Sequence, residues 1–285
     1  MKVVSFGEVG NERPGVVCGE GVADLLRAQP DWPGSWRELL EAGLAVEAEE
    51  VAASLSVQGQ LTPLESVRLG PPIPNPSKIV AIGLNYRDHA EEQKKTPPEA
   101  PLLFAKAPSC LIGPHDPILL PDETVEARVD AEAELCVVVG KTLKNANPEE
   151  IREAIFGYTI MNDVSGRKAQ YADRQWFRGK SFDSFGPCGP WIVTRDELPD
   201  PGNLSLEADW NGTAMQRGNT CNLIFDVPAL LGYISEQMTL LPGDLISTGT
   251  PAGVGVFRDP PVFLQRGDTV EIRLEGVGSL LNPVR

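Results

Sequence analysis

Two glutamates one residue apart, Glu132 and Glu134, stand in the stretch V-D-A-E-A-E-L-C-V-V-V-G at residues 129–140. A β-branched apolar run closed by Gly140 predicts a strand there. Side chains alternate faces along a strand, so both carboxylates point the same way. Like charges that close repel each other unless a cation or solvent separates them. Asp163 supplies a third carboxylate at the polar end of the next apolar run, G-Y-T-I-M-N-D at residues 157–163. Three carboxylates, with no cysteine pair or paired histidines, describe an oxygen-only site for a hard divalent ion such as Mg²⁺, Mn²⁺ or Ca²⁺. The ordinary alternative is the wet face of an edge strand.

Such an ion would have a use. A 2-oxo acid offers a carboxylate oxygen and the neighbouring keto oxygen as a bidentate pair. Three protein ligands leave an octahedral ion room for that pair and a water, so the ion would act as a Lewis acid and stabilise an enolate. Lys180, in the glycine-flanked turn G-K-S-F, can help hold that charge or can simply solvate a loop. His89 and Glu92 lie three apart in N-Y-R-D-H-A-E-E and share a face if the segment is helical. The carboxylate would then orient the imidazole, which takes a proton from water; a solvated helix face is the alternative. His115, the other of two histidines, sits among turn formers in G-P-H-D-P and is expected at the surface or behind the residues that touch a ligand. The loop T-G-T-P-A-G-V-G at residues 248–255 matches no nucleotide-binding glycine pattern, although its amides and the Thr250 hydroxyl can clasp a carboxylate.

The elements that must position these groups are short. Gly (28) and Pro (26) are plentiful, so turns are frequent and strands brief. Residues 1–70 read as a small α+β lead-in domain, with strands at 1–6 and 16–18 and a helix opened by the capping box Ser35–Glu38. The proline-rich bridge at 69–76 marks the boundary with a catalytic domain over 71–285. There, strands are expected at 78–83 and 102–106, a mobile loop at 93–100, and a helix at 148–156 after the Asn147 cap. The segment 164–177 is polar and carries no clear element. Asn211-Gly212 predicts a hairpin, and Asp226 caps a helix over 227–237. Many strands with few helices between them suggest an antiparallel or mixed β architecture rather than a doubly wound sheet.

A net charge of −15 argues against nucleic acid or an anionic membrane as partner. No run reaches the ~20 apolar residues of a membrane span, and the N-terminus lacks a signal peptide's apolar core. The five cysteines are scattered and odd in number, which fits free thiols in a reducing cytoplasm; Cys136 reads as core filler.

Five motifs in order resemble the fumarylacetoacetate hydrolase superfamily: G-L-N-Y-R-D-H-A-E-E (83–92), V-D-A-E-A-E-L-C-V-V-V-G-K (129–141), G-Y-T-I-M-N-D-V-S-G-R (157–167), G-K-S-F-D (179–183) and S-T-G-T-P-A-G-V-G (247–255). The resemblance covers most of residues 75–285. It implies a mainly β fold with some α, a mixed β-sandwich roll, in a homodimer. It implies Mg²⁺ or Mn²⁺ held by Glu132, Glu134 and Asp163, a water-activating dyad of His89 and Glu92 on a lid, and an enolate-stabilising Lys180. Gln170 and Thr250 match substrate-contacting positions, and Arg167 falls in the same segment. The expected activity is metal-dependent hydrolysis of a C–C bond in a β-diketo acid, acylpyruvate-like or a 2,4-diketo-3-deoxy sugar acid. Decarboxylation of oxaloacetate, isomerisation or hydration of an unsaturated 2-oxo acid, and a non-catalytic metal- and ligand-binding role are the alternatives.

Overall fold

In the computed structural model, which describes residues 1–172 and 174–285, the apolar run of the acidic stretch is the strand Ala133–Val139, buried at every position. A strand buried on both faces needs neighbours on both edges and layers above and below. On one edge it pairs antiparallel with Ile155–Asn162, on the other with the short strand Leu245–Ser247. The sheet continues past Ile155–Asn162 through Gly186–Thr194, Lys2–Phe6, Arg13–Cys18, Gly21–Asp24 and Thr62–Pro63. Past Leu245–Ser247 it continues through Ile79–Gly83 to Leu102–Lys106. Most pairs are antiparallel, but Leu245–Ser247 runs parallel to Ile79–Gly83, so the sheet is mixed. The mainly β, partly α roll expected from the sequence is the observed fold.

The lead-in segment joins this sheet directly, because Lys2 and Val3 pair with Val193 and Ile192. Gly70 in the proline-rich bridge donates its N–H to the Ser5 carbonyl at 2.8 Å. Trp36, from the helix Trp36–Glu41, is fully buried, and its indole N–H reaches the carbonyls of Val4 and Gly15.

A second, four-stranded antiparallel sheet is ordered Thr213–Asn219, Ser205–Trp210, Thr269–Leu274, Gly278–Pro283. Ser205–Trp210 and Thr269–Leu274 alternate strictly, burying Leu206, Ala208 and Trp210 on one strand and Val270, Ile272 and Leu274 on the other. These side chains share one core cluster with Leu135, Val137, Ile160 and Ile192 of the large sheet. Each of the valines, leucines and isoleucines among them contributes roughly 1.5–3 kcal/mol by leaving water. The predicted Asn211-Gly212 turn joins the hairpin, with both residues at positive φ (51° and 74°), as a tight two-residue turn demands.

Helices form where the caps predict them. Asn147 and Glu150 make a full capping box for Pro148–Ala154, and Asp226 caps Val227–Gln237. The first of these stops two residues short of the expected end, because Ile155 already belongs to the next strand. The polar segment after Asp163 is not irregular: it holds the helices Arg167–Ala172 and Trp176–Lys180. The Glu126 carboxylate, distant in sequence, accepts the Lys168 and Ala169 N–H groups at 3.2 and 2.8 Å and so caps the first of them. Among the described residues no helix is long and apolar enough to cross a membrane.

Candidate active site

The antiparallel pairing of Asn162 with Ala133 brings the three predicted carboxylates together. Glu134 is the second residue of Ala133–Val139, and Glu132 lies in the break between that strand and Val129–Asp130. Asp163 follows directly on Ile155–Asn162, and its N–H donates to the Glu132 carbonyl at 2.9 Å. One oxygen from each of Glu132, Glu134 and Asp163 lies within 4.8 Å of the others, and all three residues are buried.

Buried carboxylates need compensating charge. Lys180 Nζ donates to Glu132 Oε2 at 2.7 Å and to Asp163 Oδ2 at 2.6 Å. Arg167 bridges Glu132 Oε1 (2.7 Å) and Asp130 Oδ2 (2.6 Å). Lys106, a residue the sequence reading passed over, donates to Asp163 Oδ1 at 2.8 Å and to the Lys180 carbonyl. Among the described residues, four carboxylates thus face three cations, and Glu134 is the one without a cation of its own. It accepts the Ser247 hydroxyl (2.6 Å) and the Gly249 N–H (2.9 Å).

The protonation preferences follow. Burial, then the charges of Asp163 and Glu132, push Glu134 well above the usual carboxylate range. Burial acts the same way on Glu132, but Lys180 and Arg167 outweigh it and hold that group below the range. Burial disfavours the Lys180 ammonium, and Asp163 and Glu132 more than restore it, so its pKa is raised. An oxygen-only donor set with one carboxylate left uncompensated fits a hard divalent cation. Lys106→Met would strand one Asp163 oxygen in the interior. We expect a loss of about 3 kcal/mol, read as a lower urea midpoint at unchanged slope.

The dyad forms as the spacing predicts. The helix Arg87–Glu92 places His89 Nδ1 3.0 Å from Glu92 Oε2. The Asn85 side chain fixes the start of this segment by donating to the Thr248 and Phe225 carbonyls (2.8 and 3.0 Å) and accepting the Phe225 N–H (2.9 Å). His89 is buried at 6% exposure, with the Phe257 ring 5.8 Å away, so the solvated-face alternative does not hold. Lys180 is buried as well: it ends the helix Trp176–Lys180 with its Nζ 5.1 Å from the centre of the Phe104 ring, and is not a loop lysine in water.

The glycine loop explains its own composition. Its amides clasp carboxylates, but those carboxylates are the protein's. Gly249 N–H serves Glu134, Gly253 N–H serves Glu92 Oε1 at 2.9 Å, and Gly255 and Val256 N–H serve Asp130 at 2.9 and 3.0 Å. Gly253 has φ +104°, and a Cβ there would stand 2.2 Å from the Met215 carbonyl oxygen, so only glycine fits. One loop therefore anchors both halves of the site.

Several of these groups line one cavity of about 100 Å³. Its walls include His89, Glu132, Glu134, Arg167, Gln170, Lys180 and Thr250, with Leu102, Phe104, Trp176 and Phe257 as the apolar part. Arg167 Nη1 donates to Gln170 Oε1 at 3.0 Å, and Thr250 Oγ1 accepts from Gln216 at 2.7 Å. Of the residues singled out for the site from the sequence, Glu92 and Asp163 stand behind this lining, against His89 and Lys180, and the rest line it, whereas His115 lies exposed elsewhere. A larger open groove of about 920 Å³, bordered by Arg152, Tyr158, Arg195 and Asp226, holds none of them.

Residues 78–285 match the sequence profile of the fumarylacetoacetate (FAA) hydrolase C-terminal domain. The chain belongs to the fumarylacetoacetate hydrolase family. It is 40% identical over 290 residues to a mitochondrial oxaloacetate tautomerase of Xenopus laevis, covering 100% of this chain and 90% of that one. It is 41% identical to a 2,4-didehydro-3-deoxy-L-rhamnonate hydrolase of Sphingomonas sp. (strain SKA58), covering 98% of this chain and 94% of the relative. A solved maleylpyruvate hydrolase of Sphingobium sp. SYK-6, in complex with manganese(II) and pyruvate, superposes with a TM-score of 0.80 at 32% identity, covering 100% and 98% of the two chains. These members of the family are enzymes acting on small acids.

Beyond the expected set, the family fold here recruits Lys106, Asp130, Glu126 and Gln216. Gln216 ties the Ala133 N–H (2.9 Å) to Thr250 and the Pro251 carbonyl. A lysine closing the apolar run L-L-F-A-K was the one available sign of Lys106; nothing local marks the others.

Proposed function

We propose that the protein is a divalent-metal-dependent hydrolase that cleaves a C–C bond of a β-diketo acid, acylpyruvate-like or a 2,4-diketo-3-deoxy sugar acid, through an enolate. The observation that carries this reading is the opening of His89, backed by Glu92, into the same cavity as Glu132 and Glu134, which cluster with Asp163. Glu132, Glu134 and Asp163 would hold Mg²⁺ or Mn²⁺, which when bound supplies Lewis acidity toward the substrate's carboxylate and 2-oxo oxygens. Glu92 takes the Nδ1–H of His89 and leaves Nε2 to accept a proton from the water that attacks the distal carbonyl. Lys180 offers its ammonium to the enolate that departs. Gln170, oriented by Arg167, and Thr250 bind the carboxylate and oxo end. Pyruvate is the fragment that cleavage of an acylpyruvate releases, and the similar maleylpyruvate hydrolase was solved with pyruvate and manganese(II).

A second reading, tautomerisation or decarboxylation of oxaloacetate, is favoured by the small cavity, well below the ~300 Å³ at which drug-sized ligand sites begin. The likeness to an oxaloacetate tautomerase points the same way. The proposal extends to a homodimer in a reducing compartment, where Cys18, Cys110, Cys136, Cys188 and Cys221 remain free thiols. A panel of acylpyruvates, diketo sugar acids, oxaloacetate and unsaturated 2-oxo dicarboxylates, each with Mg²⁺, Mn²⁺ or EDTA, tests it. Metal-dependent release of pyruvate from a diketo acid is expected. Turnover that survives EDTA, or that is confined to oxaloacetate, overturns the leading reading.

A further inference from the structure

The segment after the dyad does more than cover the cavity. Lys95 Nζ lies 2.7 Å from one end of the Gln93 side-chain amide, and the other end lies 2.7 Å from His89 Nε2. An ammonium can only donate, so the end facing Lys95 is the carbonyl oxygen. The end facing His89 is then the NH₂ group, which also only donates, so His89 Nε2 must accept. On the opposite side of the ring Glu92 Oε2, a carboxylate oxygen, faces Nδ1 and calls for a proton there. Glu92 is pinned in turn by the Gly253 N–H. The whole chain of contacts, Lys95 to Gln93 to His89 to Glu92 to Gly253, is consistent with one ring state only: neutral, with the proton on Nδ1 and the lone pair on Nε2.

We propose that Gln93, held in orientation by Lys95, is a positioning residue that selects the base-competent tautomer of His89 and covers its Nε2 lone pair until water or substrate displaces the amide. Glu92 alone does not achieve this, because a carboxylate beside Nδ1 also favours the doubly protonated imidazolium, which has no lone pair to offer. A neutral amide donor at Nε2 disfavours that state, since two N–H groups would then face each other. The inference uses the reading of His89 as the general base, but the tautomer itself can be observed without any turnover.

With only two histidines in the chain, NMR of the imidazole nitrogens gives two sets of signals, and His115→Asn assigns them. His115 has φ +65° and is exposed, and asparagine accepts that backbone. In the wild-type protein we expect His89 protonated at Nδ1 and bare at Nε2. Gln93→Leu should give a mixture of ring states and lower kcat about tenfold at unchanged KM, a fraction of what general-base catalysis supplies. Gln93→Glu should be worse than Gln93→Leu, because two carboxylates would hold the ring as imidazolium. A role in packing alone predicts the reverse order, since glutamate is the closer replacement. Lys95→Met should move the ring signals in the same direction as Gln93→Leu, by less. A wild-type His89 protonated at Nε2 overturns the proposal even if no variant folds. So does a Gln93→Glu variant at least as active as Gln93→Leu, or a Gln93→Leu ring indistinguishable from wild type. If the tautomer is as expected but no substrate in the panel turns over, the functional reading fails and the positioning role stands.

Discussion

Glu134→Gln should leave the metal-free protein at least as stable as wild type while removing its response to Mg²⁺ or Mn²⁺. The two halves of that result have one cause. Burial and the charges of Asp163 and Glu132 make the folded protein prefer Glu134 protonated. In such a case the folded state binds more protons than the unfolded chain over the interval from about pH 4.3, the ordinary glutamate value, up to the raised one. Stability from this group is therefore complete below that interval and declines as the pH rises through it. Glutamine is permanently neutral and can still accept from Ser247 and Gly249 through its oxygen, so the variant escapes the decline. A divalent ion must instead displace the proton, so metal binding to the wild type should release a proton and tighten with rising pH. At a free ion concentration of about 100 times Kd, binding stabilises the folded state by about 2.7 kcal/mol, and the variant should forfeit that rise in melting temperature. Calorimetry in buffers of different ionisation enthalpy reads the proton. A Glu134→Gln protein that keeps its metal-induced shift, or that melts far below metal-free wild type, would contradict the assignment.

What the sequence made visible and what it hid divide along physical lines. Alternation along a strand is local, so the shared face of Glu132 and Glu134 could be read directly, even though Glu132 lies one residue outside the strand proper. Helical adjacency is local too, and His89 meets Glu92 as the spacing requires. The Asn147 capping box and the Asn211-Gly212 turn are written in a few consecutive residues, and both form.

The partners of the acidic groups are another matter. Lys106 and Asp163 are 57 residues apart, and Asp130 and Arg167 are 37 apart. The order of strands in the large sheet brings the first pair together, and a separate two-stranded pairing of Val129–Asp130 with Ser165–Gly166 brings the second. The helix Arg167–Ala172 shows the same limit in secondary structure. Its cap is Glu126, 43 residues before Ala169, so the segment read as merely polar. The cap also explains Gly166, where a Cβ would stand 2.8 Å from the Glu126 carboxylate. The composition of the glycine loop suggests a grip on a carboxylate from outside. Its amides are used instead on Glu134, Glu92 and Asp130, which makes it the part that holds the acidic cluster and the His89–Glu92 pair in register.

His89→Ala is the substitution that separates the chemistries this site can support. All of them draw on the carboxylate trio, but only some need a group that moves a proton. Hydrolysis of a diketo acid needs a base to activate water, so loss of His89 should lower kcat by about 10²- to 10⁴-fold. Tautomerisation of oxaloacetate moves a proton to and from carbon and should suffer comparably. Decarboxylation breaks its bond without an attacking water, so His89→Ala should spare much of that rate, whereas Glu134→Gln should abolish it. Metal-induced stabilisation should survive His89→Ala in every case, because the imidazole is not one of the three carboxylate ligands; this control separates a lost base from a damaged site. The phenyl ring of Phe257, 5.8 Å from the imidazole, and the buried setting of His89 also mean that alanine leaves a pocket rather than a solvated gap. Added imidazole can enter such a pocket, and partial recovery of hydrolysis by it would show that the missing function is the ring's lone pair. If His89→Ala hydrolyses a diketo acid at the wild-type rate, water is activated by some other group and the dyad is structural.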